Sequence, residues 1–265
     1  MAARISNDAE IIRILAPLSR NPNAPGSNGS GITLTPISWA VRRGNIEAVR
    51  ILAPLCNNPN ESPEDGLNPV MMWDVEMVKL LADLTVHPNA PGPDGMTPIL
   101  WAVILGQEHT EKIVRILAPL ANNPNKGSLD GDTPILVAAS RGNVEVVKLL
   151  APLCSNPNAP HPVKGVTPIF MAANYGHTEI VRILAPMAID PNAPAAAFDG
   201  ATPILRAVQK GNTEIVRILI PYTKNPNAPD YDGRTPYQLA ESLGNREIVQ
   251  MLEPFCSESS LLCNK

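Results

Sequence analysis

Three short signatures recur through this 265-residue chain in a single phase, and that self-similarity constrains its fold more than any other feature. A Thr-Pro or Asn-Pro pair ends at Pro36, Pro69, Pro98, Pro134, Pro168, Pro203 and Pro236, at intervals of 33, 29, 36, 34, 35 and 33 residues. An Asn/Asp/His-Pro-Asn triplet recurs in register at Pro22, Pro59, Pro88, Pro124, Pro157, Pro191 and Pro226. Between them runs Glu-Ile-Val-Arg-Ile-Leu-Ala-Pro, clearest at 179–186. A period near 34 residues is too short for a domain and about right for one supersecondary unit that must stack on its neighbours to bury an apolar face.

Each unit has a physical reading. The Thr of Thr35-Pro36 or Thr97-Pro98 caps a helix, and Pro suits the first helical position because its missing N–H is not needed there. Asn68-Pro69 keeps a good cap. A short apolar helix follows, such as Ile135–Ala139, and stops at Gly44, Gly106, Gly142, Gly176, Gly211 or Gly244, where a left-handed residue is tolerated. A second helix opens near Asn45, Asn143, His177, Asn212 or Asn245. It carries an apolar stripe at Ile180, Val181, Ile183 and Leu184, with Glu and Arg three apart on its other face: Glu10/Arg13, Glu47/Arg50, Glu179/Arg182 and Glu214/Arg217. This helix meets Pro17, Pro54, Pro119, Pro152, Pro186, Pro221 or Pro254, which ends or kinks it because an interior proline costs roughly 3 kcal/mol. Asp83 replaces that proline in one unit, so that helix is expected to run further. Asp-Gly at 65–66, 94–95, 130–131, 199–200 and 232–233 turns the chain between units.

The combined pattern Asp-Gly-x-Thr-Pro-Ile-x-x-Ala…Gly-His-Thr-Glu-Ile-Val resembles the ankyrin repeat. The resemblance implies an all-α solenoid of stacked helix-turn-helix units with projecting β-hairpin-like fingers and a concave groove for protein recognition. It divides the chain into a single array over 1–256 and a polar tail at 257–265. The array holds a half-repeat at 8–25 and about seven units from 26 to 256, with an irregular unit at 66–91. Two departures stand out. The family's His after Thr-Pro-Leu is replaced by Ser38, Met71, Leu100, Leu136, Phe170, Leu205 or Gln238, so its hydrogen bonds are absent or changed. In the irregular unit Pro69 lies 7 residues from Glu76, against 11 from Pro36 to Glu47, which cuts the first helix short.

Composition and motifs narrow the function. Charged residues are 17%, the net charge is −4, and no Lys/Arg block suggests nucleic acid. No apolar run reaches membrane-span length and the N-terminus lacks a signal-peptide core, so the expected location is the cytoplasm or nucleus. Cys56, Cys154 and Cys256 stand at one place in separate units, too far apart to bridge, and no CxxC pair exists. His87, His109, His161 and His177 fall at different unit positions, and His177 sits in the Gly-His dipeptide of the repeat. No metal site, cofactor site or catalytic constellation is visible. The expected function is a monomeric, non-catalytic protein-protein interaction module, an adaptor or scaffold. The alternatives are an inhibitor of a kinase or transcription factor, and a secreted effector of an intracellular microbe aimed at a host protein.

The resemblance also implies which residues face the groove: those between Gly and Thr of each finger and those just before the Gly that ends the first helix. Here they are Leu67, Met96, Asp132, Val166, Ala201 and Arg234, with Arg42, Ile104, Leu105, Ser140, Arg141, Tyr175 and Gln209. Trp101, like Trp39, stands at the second Leu place of the motif, where core packing competes with binding. Leu67, Met96, Trp101, Ile104 and Leu105 read either as an apolar contact patch or as packing that refills the gap left by the shortened helix. If the period is the folding unit, deleting residues 168–202 in phase should leave a helical circular dichroism spectrum and a single cooperative melt. A non-cooperative melt would refute the assignment.

Overall fold

The computed structural model describes residues 2–22, 24–27, 33–56, 74–85, 87–92, 94–106 and 108–256. The chain forms two compact units, Met1–Asp130 and Gly131–Lys265. The first holds α1 (Ala2–Leu15), α2 (Pro36–Arg42), α3 (Ile46–Leu52), α4 (Val75–Leu84), α5 (Pro98–Leu105) and α6 (Thr110–Leu117). Its two-residue strands β1 (Gly26–Ser27) and β2 (Thr33–Leu34) pair antiparallel, Gly26 opposite Leu34. The second holds α7 (Pro134–Arg141), α8 (Val144–Leu150), α9 (Pro168–Tyr175), α10 (Thr178–Leu184), α11 (Pro203–Gln209), α12 (Thr213–Leu219), α13 (Pro236–Ser242) and α14 (Arg246–Leu252). Here α7, α9, α11 and α13 pack side by side as an inner layer, and α8, α10, α12 and α14 as an outer one.

The inner helices begin with every early N–H accounted for. In α11, Pro203 has no N–H to satisfy. The next, of Ile204, donates to Asn192 Oδ1 at 2.9 Å, and that of Leu205 donates to the Thr202 hydroxyl at 3.2 Å. The fourth, of Arg206, reaches the Thr202 carbonyl. The same bond runs from Ile99 to Asn89, Ile169 to Asn158 and Tyr237 to Asn227. The last Asn of the Asn/Asp/His-Pro-Asn triplet is therefore the strap that fixes the following inner helix. Asn158 and Asn192 are buried, so each bond is made away from competing water.

Two of the substitutions at the family's His position rebuild local bonds. Gln238 closes a capping box with Thr235, and the Ser38 hydroxyl lies 2.9 Å from that of Thr35. Leu100, Leu136, Phe170 and Leu205 are buried instead. Behind them, Ala138-Ala139 and Ala172-Ala173 are fully buried, and their small size lets neighbouring inner helices approach closely. Burying an Ile or Phe beside them, such as Ile169 or Phe170, contributes about 1.5–3 kcal/mol.

The outer helices end where the prolines require. Each runs to its last Leu and tightens into a 3₁₀ turn at Ala16–Leu18, Ala53–Leu55, Ala118–Leu120, Ala151–Leu153, Ala185–Met187, Ile220–Tyr222 or Glu253–Phe255. With Asp83 in place of proline, α4 continues to Leu84. The carbonyl exposed at the end finds a side-chain donor one turn on. The thiols of Cys56 and Cys154 donate to Leu52 and Leu150 at 3.0 and 3.1 Å, and the Thr223 hydroxyl to Leu219 at 2.8 Å. The recurrent cysteine is thus a helix cap.

On the outer face, the expected Glu/Arg pairs also connect successive helices. Arg13 reaches Glu47 at 2.8 Å and Arg50 reaches Glu76 at 3.8 Å in the first unit. In the second, Arg182 reaches Glu214 at 3.0 Å and Arg217 pairs with Glu247. All are about half exposed, so each link contributes only a few tenths of a kcal/mol. Between unit ends the fingers also touch. Tyr231 N–H donates to the Asp199 carbonyl and Ala197 N–H to that of Lys164. A Cβ at Gly200 would meet the Tyr231 ring at 2.3 Å, so that finger seat requires glycine.

The shortened first helix expected after Pro69 lies outside the described residues. Replacing Asn192 with Ala should cost about 1–3 kcal/mol in urea denaturation, because the buried Ile204 N–H loses its acceptor. A loss below about 0.5 kcal/mol would show that the strap is not structural.

Candidate functional site

In the second unit the fingers and inner helices enclose two pockets. The fingers are closed by backbone bonds from His161 N–H to Val166 O at 2.8 Å, Ala195 to Ala201 at 3.0 Å, and Asp230 to Arg234 at 3.0 Å. The loop from strap Asn to helix is 12 residues at Asn192–Ile204, against 11 at Asn158–Ile169 and 10 at Asn227–Tyr237. The longest finger makes a 3₁₀ turn, Ala196–Phe198, followed by the left-handed Asp199. That turn drops Phe198 onto Phe170, ring centroids 4.9 Å apart.

One pocket, of about 170 Å³, is lined by Asp132, Leu136, Val137, Ser140, Lys164, Val166, Met171 and Phe198. The other, of about 320 Å³, shares the Phe198 wall and lies over Arg206, Gln209, Arg234 and Gln238. The structure thus brings Asp132 and Ser140 together, and Gln209 with Arg234. Asp132 lies 3.7 Å from the Lys164 ammonium and 3.6 Å from His161 Nε2. Arg234 is held to Asp230 at 2.9 Å and Asp232 at 3.0 Å. Arg141 and Tyr175 are exposed at the ends of α7 and α9, and the Tyr175 ring is 6.2 Å from His177. His177 itself packs over Gly142 and approaches the Ser140 carbonyl at 3.3 Å, a structural place.

Val166 and Ala201 are 3% and 5% exposed and pack with Phe170, Ala195 and Leu205. The finger bond from His161 turns Val166 onto the helices, where it lines the smaller pocket. In the first unit, Met96, Trp101, Ile104 and Leu105 are each half-buried. Leu67 lies outside the described residues. An apolar slot of about 590 Å³ lies between α1, α2 and α3, with Ile12, Leu15, Trp39 and Leu52 among its walls. The Arg43 guanidinium sits 5.7 Å from the Trp39 ring.

Sequence reasoning missed Lys164, Met171, Phe198 and Arg206. Met171 and Arg206 stand two residues after Ile169 and Ile204, the place held elsewhere by Trp39 and Trp101. Extending that position through the units would have found them. The extra finger residues were the only signal for Phe198.

No cluster of His, Cys, Asp or Glu that could hold a metal occurs among the described residues, and no described helix is long and apolar enough to cross a membrane. Hydrogen bonding to Glu145 raises the Lys148 pKa on the solvated outer face. Burial pushes the Cys154 thiol up to about 11, opposite to the activation a nucleophilic cysteine needs. At pH 8 about one Cys154 thiol in a thousand would be ionised, against roughly a quarter for a free cysteine. Iodoacetamide should therefore label it at least about a hundredfold more slowly than a free thiol. Comparable rates would show that the thiol is not capped.

A family model described as ankyrin repeats (3 copies) matches residues 108–195 and 189–257, more than half of the chain. No curated protein matches it.

Proposed function

The chain belongs to the ankyrin repeat family, and on that premise we propose that it is a non-catalytic adaptor or scaffold that docks a protein partner on the finger and inner-helix face. Ankyrin repeats are generally protein-protein interaction modules. The observation that carries the assignment to this face is the pair of adjoining pockets around Phe198. They combine an aromatic and aliphatic floor with a rim of paired charges, and such a mix favours protein contacts, in which aromatic and Arg anchors dominate.

The opposite face supports the same choice by contrast. Its Glu/Arg ladder satisfies its own charges, leaving little for a partner to gain. The acidic pI of about 5.6 argues for a protein rather than a nucleic-acid partner. A monomer working in the cytoplasm or nucleus completes the reading.

The test compares binding of one partner, identified by mass spectrometry after affinity capture, to three versions of the protein. The double variant Ser140→Glu with Gln209→Glu places bulk and charge at the two pockets and should weaken binding at least tenfold without changing the melting temperature. Arg182→Glu on the outer ladder should bind as the wild type does. If the ladder variant loses the partner and the pocket variant keeps it, the docking face has been misassigned.

A further inference from the structure

Arg206 is the charged exception in a row of uncharged positions. Along the inner layer of the second unit, its equivalents are Val137, Met171 and Leu239, each half-buried as Arg206 is. Its guanidinium carbon lies 4.9 Å from the Phe198 ring centroid and 5.9 Å from that of Phe170. Nη1 donates to Gln209 Oε1 at 2.8 Å. Nε is shut off from solvent and donates to nothing.

No carboxylate among the described residues pairs with it. Asp230, on the wall of the same pocket, is already occupied. One of its oxygens accepts from the Asp232 and Arg234 N–H groups at 3.1 and 2.9 Å, and the other from Arg234 Nε at 2.9 Å. Asp199 lies at the rim and makes no ion pair with Arg206. Stacking on two aromatic rings compensates part of the lost hydration of a cation, but a guanidinium fork in a half-buried setting with a free edge is a group awaiting an anion. The space above it, about 320 Å³ and walled by Phe198, Leu205 and Leu239, suits one side chain rather than a whole folded element.

We propose that this pocket receives a carboxylate side chain, Asp or Glu, from the protein segment that docks on the second unit, while an apolar side chain of that segment enters the smaller pocket against Met171. The proposal rests on the docking face assigned above and names the chemistry it selects. The carboxylate takes the edge of the guanidinium that Gln209 leaves open, after a small rotation of the terminal group frees Nε from the ring. The smaller pocket lies between α7 and α9 and the larger between α11 and α13. Because Phe198 walls both, their centres are separated by about one to one and a half inner-helix spacings, roughly 10–14 Å. An extended segment spans that in about three or four residues. The recognised pattern is therefore an apolar residue and an acidic one at about that spacing.

The experiment pans a phage-displayed random dodecapeptide library against the full chain. Enriched peptides should carry an Asp or Glu three or four residues from a Leu, Ile, Met or Phe. A synthetic peptide from the enriched set, changed from Glu to Gln at that position, should bind at least tenfold more weakly. Arg206→Met, which keeps an apolar stem against Phe198, should lose the same factor and abolish the difference between the two peptides. If that variant melts early, the Glu and Gln peptides against the unaltered protein decide the matter. Equal binding of the two peptides, or enriched peptides that lack an acid yet are weakened by Ser140→Glu with Gln209→Glu, overturns the carboxylate site and leaves the docking face standing. Enriched peptides that ignore that double variant overturn both.

Discussion

The buried side-chain oxygen of Asn158 or Asn192, accepting from the second residue of the next inner helix, is the interaction on which much else depends. An α-helix of seven or eight residues is far too short to persist by itself in water. It exists here because its first four residues leave no N–H unpaired, by four different devices: proline has none, the Asn strap and the Thr cap take one each, and the helix takes the last. The strap also crosses the finger, so it fixes where the finger leaves one unit and where the next helix begins. A displaced strap would move both the finger and the inner face together.

Once the helix starts are fixed, the layers close on small and flat surfaces. Alanines at 138–139 and 172–173 bring inner helices close, and glycine at 200 lets an aromatic ring of the next finger lie on backbone. Close approach allows finger-to-finger backbone bonds, such as Tyr231 to Asp199. The proline turns serve the other end. They stop each outer helix at its last Leu and hand that carbonyl to a Cys or Thr one turn later.

The two faces handle charge in opposite ways. On the outer face Arg13, Arg50, Arg182 and Arg217 each meet a Glu in their own helix and another in the next, in open solvent, so the ladder orders side chains at little net gain. On the finger face charged groups such as Lys164 and Arg206 stand beside Phe170, Phe198 and Met171. A lower local dielectric strengthens each remaining polar contact there and makes an unpaired group costly. That asymmetry underlies the docking face proposed above. It arises because finger residues reach back over the inner helices, whereas the charged side chains of the outer ones stand about half exposed.

Sequence alone determined what local chemistry can decide. Thr-Pro starts, Gly stops and Ala-Pro ends are set within a few residues by backbone geometry, so the helix pairs, their period and even the longer α4 that follows from Asp83 could be read directly. Spacing also exposed the Glu/Arg stripes, since three residues along a helix place side chains on one face. The tertiary structure decided everything that joins one unit to another. The role of the last Asn in each triplet, the link from Arg182 to Glu214, the burial of Val166 and the stacking of Phe198 on Arg206 all depend on how neighbouring units pack. Their partners lie up to 39 residues away. At such separations a sequence pattern can mark a position as recurrent, but stacking distance and finger length determine what that position touches.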